Sequence, residues 1–463
     1  MPRLLSALRI WTLVVIGLHL LSYRLDEANA WSVWPFTFLP LWLGWGLGLL
    51  AGSLVLAGPN EALRAWLAAI WQKLPGKKHR RRWFALASML AALLFWAGRI
   101  RHLRWGDANI LVIGLSFPEG PVIYNWQSPL TIFLHQRLWA LLAGPLLGWG
   151  VGDVYAASSI LCGAAFVYLL LNLATWLERD ALRQAVLVGF VGSTGAVQLF
   201  FGYVENYTVI SLGLLVFTFA GLKVLRGELA LVWAALALSI TNGFHPSTVF
   251  LWPSVLYLAW VRRRAGASRP ALAWQVVLPP LLVGGGVLAL MESGNHGLAY
   301  LFGDDRPGGG DGIWFVPLFE TTTQWQHYTM FSAAHLLDWL NEHFLISPFG
   351  LPVLAFALIA ARLSGQAIFS DDAERRSAYF LAVAGLCYLL LTWLWNPDYG
   401  GRKDWDLFAP SAFVYTILAA FVLNRALAGR RALAEAGVLI AVASLLHSGP
   451  WIYSNTRPLP GPE

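Results

Sequence analysis

Residues 207–225, YTVISLGLLVFTFAGLKVL, carry a single charged side chain, Lys223, close to their end. A helix of roughly 20 residues crosses the hydrocarbon core of a bilayer. One that is apolar on every face belongs inside a large protein or in a membrane. Recurrence decides for the membrane. Comparable runs lie near 8–23, 35–57, 83–98, 153–176, 184–202, 228–244, 247–262, 273–291, 344–363, 377–395, 407–425 and 434–449. Across the chain 57% of residues are hydrophobic and 12% are charged, against roughly 25% charged in soluble domains. In lipid, backbone groups must be satisfied within the segment, so each run is expected to be helical. The expected fold is an all-α polytopic membrane protein of about 13 transmembrane helices, one transmembrane domain over residues 1–463. The 25 Trp suit the membrane interfaces. The first run, from Ala7, has no small-residue cleavage site before Tyr23 and reads as a retained helix. Cys162 and Cys387 lie inside apolar runs and read as small hydrophobes without a disulfide.

The basic residues orient the chain. With the N-terminus in the cytoplasm, nine cations fall outside: Arg24, Arg99, Arg101, Arg104, Arg137, Arg306, Arg402, Lys403 and Arg457. The other 23 of the 32 fall inside, among them Lys77, Lys78, Arg80, Arg81, Arg82 and Arg262, Arg263, Arg264. The expected localisation is an inner or plasma membrane, with the C-terminus and the functional face outside. Two outer segments are long, 99–152 and 292–343. Residues 129–148 in the first are apolar, yet counting them as a span inverts everything after them and spoils the charge bias. They read as a helix in the outer interface. The positive charge is thereby explained by topology, and no nucleic-acid partner is expected.

Five constellations fall on the outer face. Gly106-Asp107-Ala108-Asn109 follows the third span, and a carboxylate at a helix exit suits a general base. Tyr124-Asn125-Trp126-Gln127-Ser128-Pro129 leads into the interfacial helix, which Pro129 opens and Trp126 and Trp139 anchor. Gly202-Tyr203-Val204-Glu205-Asn206-Tyr207 is a short aromatic turn, its carboxylate complementing the next helix dipole or serving a site. Thr241-Asn242-Gly243-Phe244-His245-Pro246 offers His245. Asn396 to Leu407 packs Asp398, Arg402, Lys403, Asp404 and Asp406 with two glycines into one turn. The second long segment adds Asp304, Asp305, Arg306, Gly308, Gly309, Gly310, Glu320, Gln324, Trp325, His327 and Tyr328, whose glycines suggest a lid. No zinc spacing, P-loop or GxSxG is present. Carboxylates and aromatics on separated loops of one face point to a shared cavity.

In order, spacing and topology, Arg99 to Arg264 resembles the GT-C superfamily of lipid-linked sugar transferases. The nearest likeness is the protein mannosyltransferase and aminoarabinose transferase group. The resemblance rests on Asp107 opening the outer loop and on Trp126-Gln127-Ser128-Pro129-Leu130 entering the interfacial helix. It continues through the cytoplasmic turn Glu178-Arg179-Asp180, Glu205 at the next outer helix start, and Asn242 to Pro246 before a helix ending in Arg262-Arg263-Arg264. The chain departs from the group in having Gly-Asp where an Asp-Glu pair is common, and Asn242 where many relatives have Lys. The C-terminal part does not align.

The resemblance implies a glycosyltransferase that moves a sugar from a polyprenyl-phosphate donor to a glycan, lipid or protein acceptor. Asp107 and Glu205 are then the catalytic candidates, and Arg402 and Lys403 the donor-phosphate ligands. His245, Asp404, Asp406, Trp126 and Tyr203 are further candidates. Asp107 with Glu205 would permit a divalent cation, as in some members of the superfamily. A transporter is the main rival, but transporters carry mid-membrane charge and the spans here have almost none. A polysaccharide polymerase or ligase is the other, kept open by the 292–343 segment.

Overall fold

A computed structural model describes residues 2–72, 79–117, 121–301, 318, 328–397 and 400–458. Lys77, Lys78, Asp304, Asp305, Arg306, the glycines 308–310, Glu320, Gln324, Trp325, His327 and Asp398 lie outside the described residues. Each of the thirteen apolar runs is helical over most of its length. The helices are α1 (Pro2–Leu21), α2 (Leu41–Ser53), α3 (Ala57–Gln72), α4 (Arg80–Ala97), α5 (Ala108–Leu115), α6 (Pro129–Leu147), α7 (Val151–Leu177), α8 (Ala181–Gly192) and α9 (Tyr207–Leu225). After them come α10 (Leu231–Phe244), α11 (Trp252–Arg264), α12 (Arg269–Ser293), α13 (Ala333–Ile346), α14 (Gly350–Ser364), α15 (Asp372–Leu394), α16 (Trp405–Ala426) and α17 (Arg430–Asn455). Among the described residues eight are long and apolar enough to cross a membrane, or up to ten if two sharply bent pairs are each one span. Leu281 and Leu282 on α12 and Leu93 and Leu94 on α4 are more than 60% exposed. Apolar faces this wide are tolerated where lipid covers them, and the chain is an integral membrane protein.

α16 is the axis of the bundle. Its apolar window is 94% buried, against 17% for the peripheral α12. It packs on α8, α9, α13, α14 and α15. The helix breaks have local causes. Pro246 and Pro348 drive the residues before them out of helical geometry: His245 sits at φ −156, ψ 126 and Ser347 at φ −162, ψ 86. The second break turns α13 by 97° from α14. At the start of α8 the Asp180 carboxylate accepts from the backbone N–H groups of Leu182 and Arg183.

The expectation of one helix over 35–57 is corrected. A 3-10 turn over Trp34–Phe38 ends before Pro40, and α2 starts only at Leu41. The segment after it, expected to be a cytoplasmic loop, is helical: α3 folds back at 86° to α2. Pro59 falls in its first turn, where a missing N–H costs nothing. Glu61 then reaches Arg431 at 2.9 Å.

α6 passes for a span by length and composition. Its hydrogen bonds hold it elsewhere. The Thr131 hydroxyl donates to Phe244 O, where α10 ends, and Trp139 Nε1 donates to Trp149 O, just before α7 begins. Tyr155 in the first turns of α7 stacks on His135 at 3.9 Å. Both ends of this nine-residue stretch, Thr131 to Trp139, therefore touch the same end of the bundle, and α6 runs across it. A π-turn over Trp139–Ala143 interrupts it.

The two ends of the bundle differ in chemistry. At one, cations and carboxylates are paired: Arg425 with Glu178 and Glu374, Arg430 with Asp180, Arg9 with Glu435. Arg262, Arg263 and Arg264 close α11 there. The other end, the carboxylate end, gathers Glu205, Asp406 and Glu342, all buried, with the half-buried Asp338.

Candidate active site

The centre of the carboxylate end is built by three loops distant in sequence. Leaving α4, the chain pairs Ile100 N–H with Phe201 O and Arg101 N–H with Asn455 O. It then turns at Gly106, whose N–H donates to Lys403 O at 3.0 Å. Gly106 adopts φ +49, in the left-handed region that glycine enters without cost. A Cβ there would lie 2.5 Å from Glu205 Oε1 and 3.3 Å from Asp406 Oδ2. Only hydrogen fits between these carboxylates. The next residue, Asp107, donates its backbone N–H to Glu205 Oε1, and Asn206 N–H reaches Glu205 Oε2 at 3.2 Å.

Asp107, Glu205 and Asp406, read from three separate constellations, thus meet at one point. They differ in access. Glu205 and Asp406 are 3% and 1% exposed, whereas Asp107 is half-buried at the start of α5. Burial raises the Glu205 carboxyl well above its ordinary value, and the Asp406 and Asp107 carboxylates push it the same way. Glu205 therefore keeps its proton to higher pH than a solvated glutamate. Asp406 opens α16, and Pro410 four residues on lacks the N–H that would otherwise meet the Asp406 carbonyl. Among the described residues no hydrogen-bond donor reaches Asp406 Oδ2. Tyr203 packs edge-on against Trp405 at 5.1 Å, and burial with the nearby Asp406 and Glu205 raises its hydroxyl.

The cations sit on the loop that Gly106 grips. Lys403 is half-buried, held below its usual value by burial and by Arg104 and Arg402. Arg402 pairs with Glu27 and lies 5.1 Å from the Trp34 ring. Beside it lies a narrow crevice walled by Trp31, Trp34, Phe38, Trp105, Trp405 and Trp451. Asp404 is half-buried on the same loop.

The remaining candidates hold the frame at this end. Trp126 Nε1 donates to His296 O at 2.7 Å, tying the first long loop to the end of α12. His245 lies 5.0 Å from the Tyr207 ring and contacts the Ser247 hydroxyl at 2.9 Å. Burial lowers its imidazole to about 4. Among the described residues no group of three or more His, Cys, Asp or Glu is arranged to hold a metal ion.

Three acidic residues escaped the sequence reading. Glu27 pairs with Arg402. Asp338 and Glu342 lie four residues apart on α13, one above the other on the same face. That spacing, just before an apolar run, was the available signal. Asp338 accepts from Trp31 Nε1 at 2.8 Å, Tyr328 OH at 2.6 Å and Gly401 N–H at 3.2 Å.

No family model and no curated protein matches the chain. Among solved structures it is similar to the crystal structure of ArnT from Cupriavidus metallidurans bound to undecaprenyl phosphate. The likeness has 13% identity and a TM-score of 0.48, over 76% of this chain and 61% of that one. The chain thus spans about three fifths of the length of that structure.

Proposed function

We propose that the chain is a glycosyltransferase of the membrane surface. It takes a sugar from a polyprenyl-phosphate carrier and passes it to an acceptor hydroxyl on the outer face. The observation that carries this reading is the meeting of Asp107, Glu205 and Asp406 beside a loop bearing Arg402 and Lys403, at one end of an apolar bundle. A lipid-linked substrate needs that arrangement: its chain stays in the bilayer while its polar head reaches a charged interface. In the reaction the acceptor oxygen attacks the anomeric carbon and the bond from that carbon to the phosphate oxygen breaks. Polyprenyl phosphate leaves, and the acceptor proton passes to the half-buried carboxylate of Asp107. Lys403 and Arg402 stabilise the charge gathering on the leaving phosphate, from a setting drier than water. Arg402 must then share its guanidinium between Glu27 and the phosphate. Glu205, fixed by the backbone N–H groups of Asp107 and Asn206, orients Asp107. Any divalent cation would lie at Asp107 and Glu205, and no step here needs one.

The test is sugar transfer from a polyprenyl-phosphate donor pool to endogenous acceptors, with wild type and Asp107→Asn compared in membranes at equal expression and equal melting temperature. The Asn variant is expected to lose about 10²–10⁴-fold in rate. Full activity in Asp107→Asn removes Asp107 as the base, and no transfer by wild type with any donor removes the function.

A further inference from the structure

The end of the bundle opposite the carboxylates carries a surface that the chemistry above does not use. There α3 leaves α2 at 86° and so lies crosswise to it. Its polar side chains hold it to the start of α17: Glu61 pairs with Arg431 at 2.9 Å, and Arg64 Nη1 donates to Arg431 O at 3.3 Å. At helical spacing Leu63, Trp66 and Leu67 fall on the side away from these contacts. Trp66 is 60% exposed and Leu67 43%. The apolar face of such a helix seeks the boundary between headgroups and acyl chains. The neighbouring helices bring that boundary to it. Leu49 and Leu50 on α2 and Met89 and Leu90 on α4, the two helices that α3 connects, are exposed as well. In an integral membrane protein lipid covers them.

Charge narrows the kind of lipid. Arg80, Arg81 and Arg82 open α4, and all three are exposed. The first turn of α4 contains no acidic side chain, and among the described residues no carboxylate pairs with any of the three. Trp83, next in sequence, is exposed as an indole at headgroup level is. Three like charges this close repel one another. A layer of anionic headgroups relieves that repulsion, and a zwitterionic layer, whose phosphates come with their own cations, does so far less. We infer that α3 and the start of α4 form a docking surface for acidic phospholipids in the leaflet at this end. The apolar stripe of α3 sinks to the acyl boundary, and the three arginines hold the headgroup phosphates. This surface needs no particular reaction at the other end of the molecule.

The experiment uses the full chain. Purified in detergent, it is titrated with phosphatidylglycerol and, separately, with phosphatidylcholine, while its melting temperature is followed. Phosphatidylglycerol is expected to raise that temperature at concentrations where phosphatidylcholine does not. A basic residue at a membrane surface is worth about a fivefold gain in affinity for acidic lipid. Replacing Arg80, Arg81 and Arg82 together by Gln is therefore expected to weaken phosphatidylglycerol binding about a hundredfold. The three side chains are exposed, so the lipid-free melting temperature is expected to stay at the wild-type value. Arg402→Ala with Lys403→Ala, at the other end, is expected to leave the phosphatidylglycerol effect in place. Equal stabilisation by the two lipids, an undiminished effect in the arginine variant, or its loss in the Arg402 and Lys403 variant overturns the assignment. A second measurement leaves every charge untouched. In vesicles of phosphatidylcholine and phosphatidylglycerol, a spin label is placed at Leu67→Cys in a chain with Cys162→Ala and Cys387→Ala. It is expected to collide with oxygen and to be shielded from a water-soluble nickel chelate. Access of the chelate puts α3 in water, and spin–spin broadening between labels puts it against a second copy; either result overturns the docking surface.

Discussion

Replacing Gly106 with alanine tests the packing at the centre of the site. Two effects are expected, and they separate. The backbone at φ +49 would carry a Cβ in the left-handed region, at a cost of roughly 1–2 kcal/mol. The new methyl would also lie 2.5 Å from Glu205 Oε1, where ordinary contact begins at 3.4 Å. The Glu205 carboxylate must therefore retreat by about 0.9 Å, the difference of those two distances, away from the Asp107 N–H it accepts from. A misplacement on the order of 1 Å costs about 10²-fold in rate where geometry is part of catalysis. Gly365 supplies the control. It sits at φ +66, and nothing lies within 4 Å of its Cβ position. Gly365→Ala carries the same backbone strain without the collision. The assay pairs the melting temperature of each purified variant with kcat for transfer from a polyprenyl-phosphate donor. Both variants are expected to melt somewhat lower, and only Gly106→Ala to fall about a hundredfold in kcat. Wild-type kcat in Gly106→Ala would refute the view that the Glu205–Asp107 geometry matters to the reaction.

Four further outcomes are expected. Glu205→Gln keeps the side chain's size but sets an NH2 against one of the two backbone N–H groups that the carboxylate accepts from, so transfer should fall, though less than in Asp107→Asn; equal losses would show that both Glu205 oxygens are needed as acceptors. Replacing Arg402 and Lys403 together by Ala should weaken polyprenyl-phosphate binding by at least the roughly 1.5–3 kcal/mol of one ionic hydrogen bond, measured by lipid-phosphate titration; unchanged affinity returns the loop to surface charge. His245 is buried neutral, with its value lowered from 6.5 to about 4. Its contribution to stability is therefore complete above pH 6.5 and is lost as pH falls towards 4, so thermal melts across that window should be flatter in His245→Asn than in wild type. Single cysteines at the exposed Arg101 and Arg81 should label oppositely in intact cells with an impermeant reagent; labelling at 81 and not at 101 reverses the orientation.

Much of this site was legible because the parity of membrane crossings says which end of the bundle each loop reaches. Asp107, Glu205 and Asp406 were assigned to one end on that ground alone, and the apolar runs that set the parity are unambiguous in residues such as 207–225. Parity says nothing of lateral neighbours. That Glu205 lies against Gly106 rather than beside Trp126 follows from how the helices pack around α16, and a single sequence does not record that. Helices broken sharply from their neighbours were also hidden. α3 and α13 are short, partly polar and bent away from apolar neighbours, so they read as loop. Asp338 and Glu342 vanished with α13. Arg402 looked available because its partner, Glu27, sits 375 residues earlier on a loop read only as a connection.

The 400–406 loop is tied at both margins by backbone N–H groups: its own Gly401 donates to Asp338, and it receives that of Gly106 at Lys403. The two ties, at Gly401 and Lys403, are only two residues apart, so a shift at one strains the other. A ligand that moves Gly401 off Asp338 therefore works against the Gly106 bond and changes the free energy of whatever binds beside Asp107. By thermodynamic reciprocity the second ligand alters the affinity of the first by the same factor. Ligands on the two faces of this loop should therefore bind with a shared coupling energy, each as a partner of the other in one equilibrium.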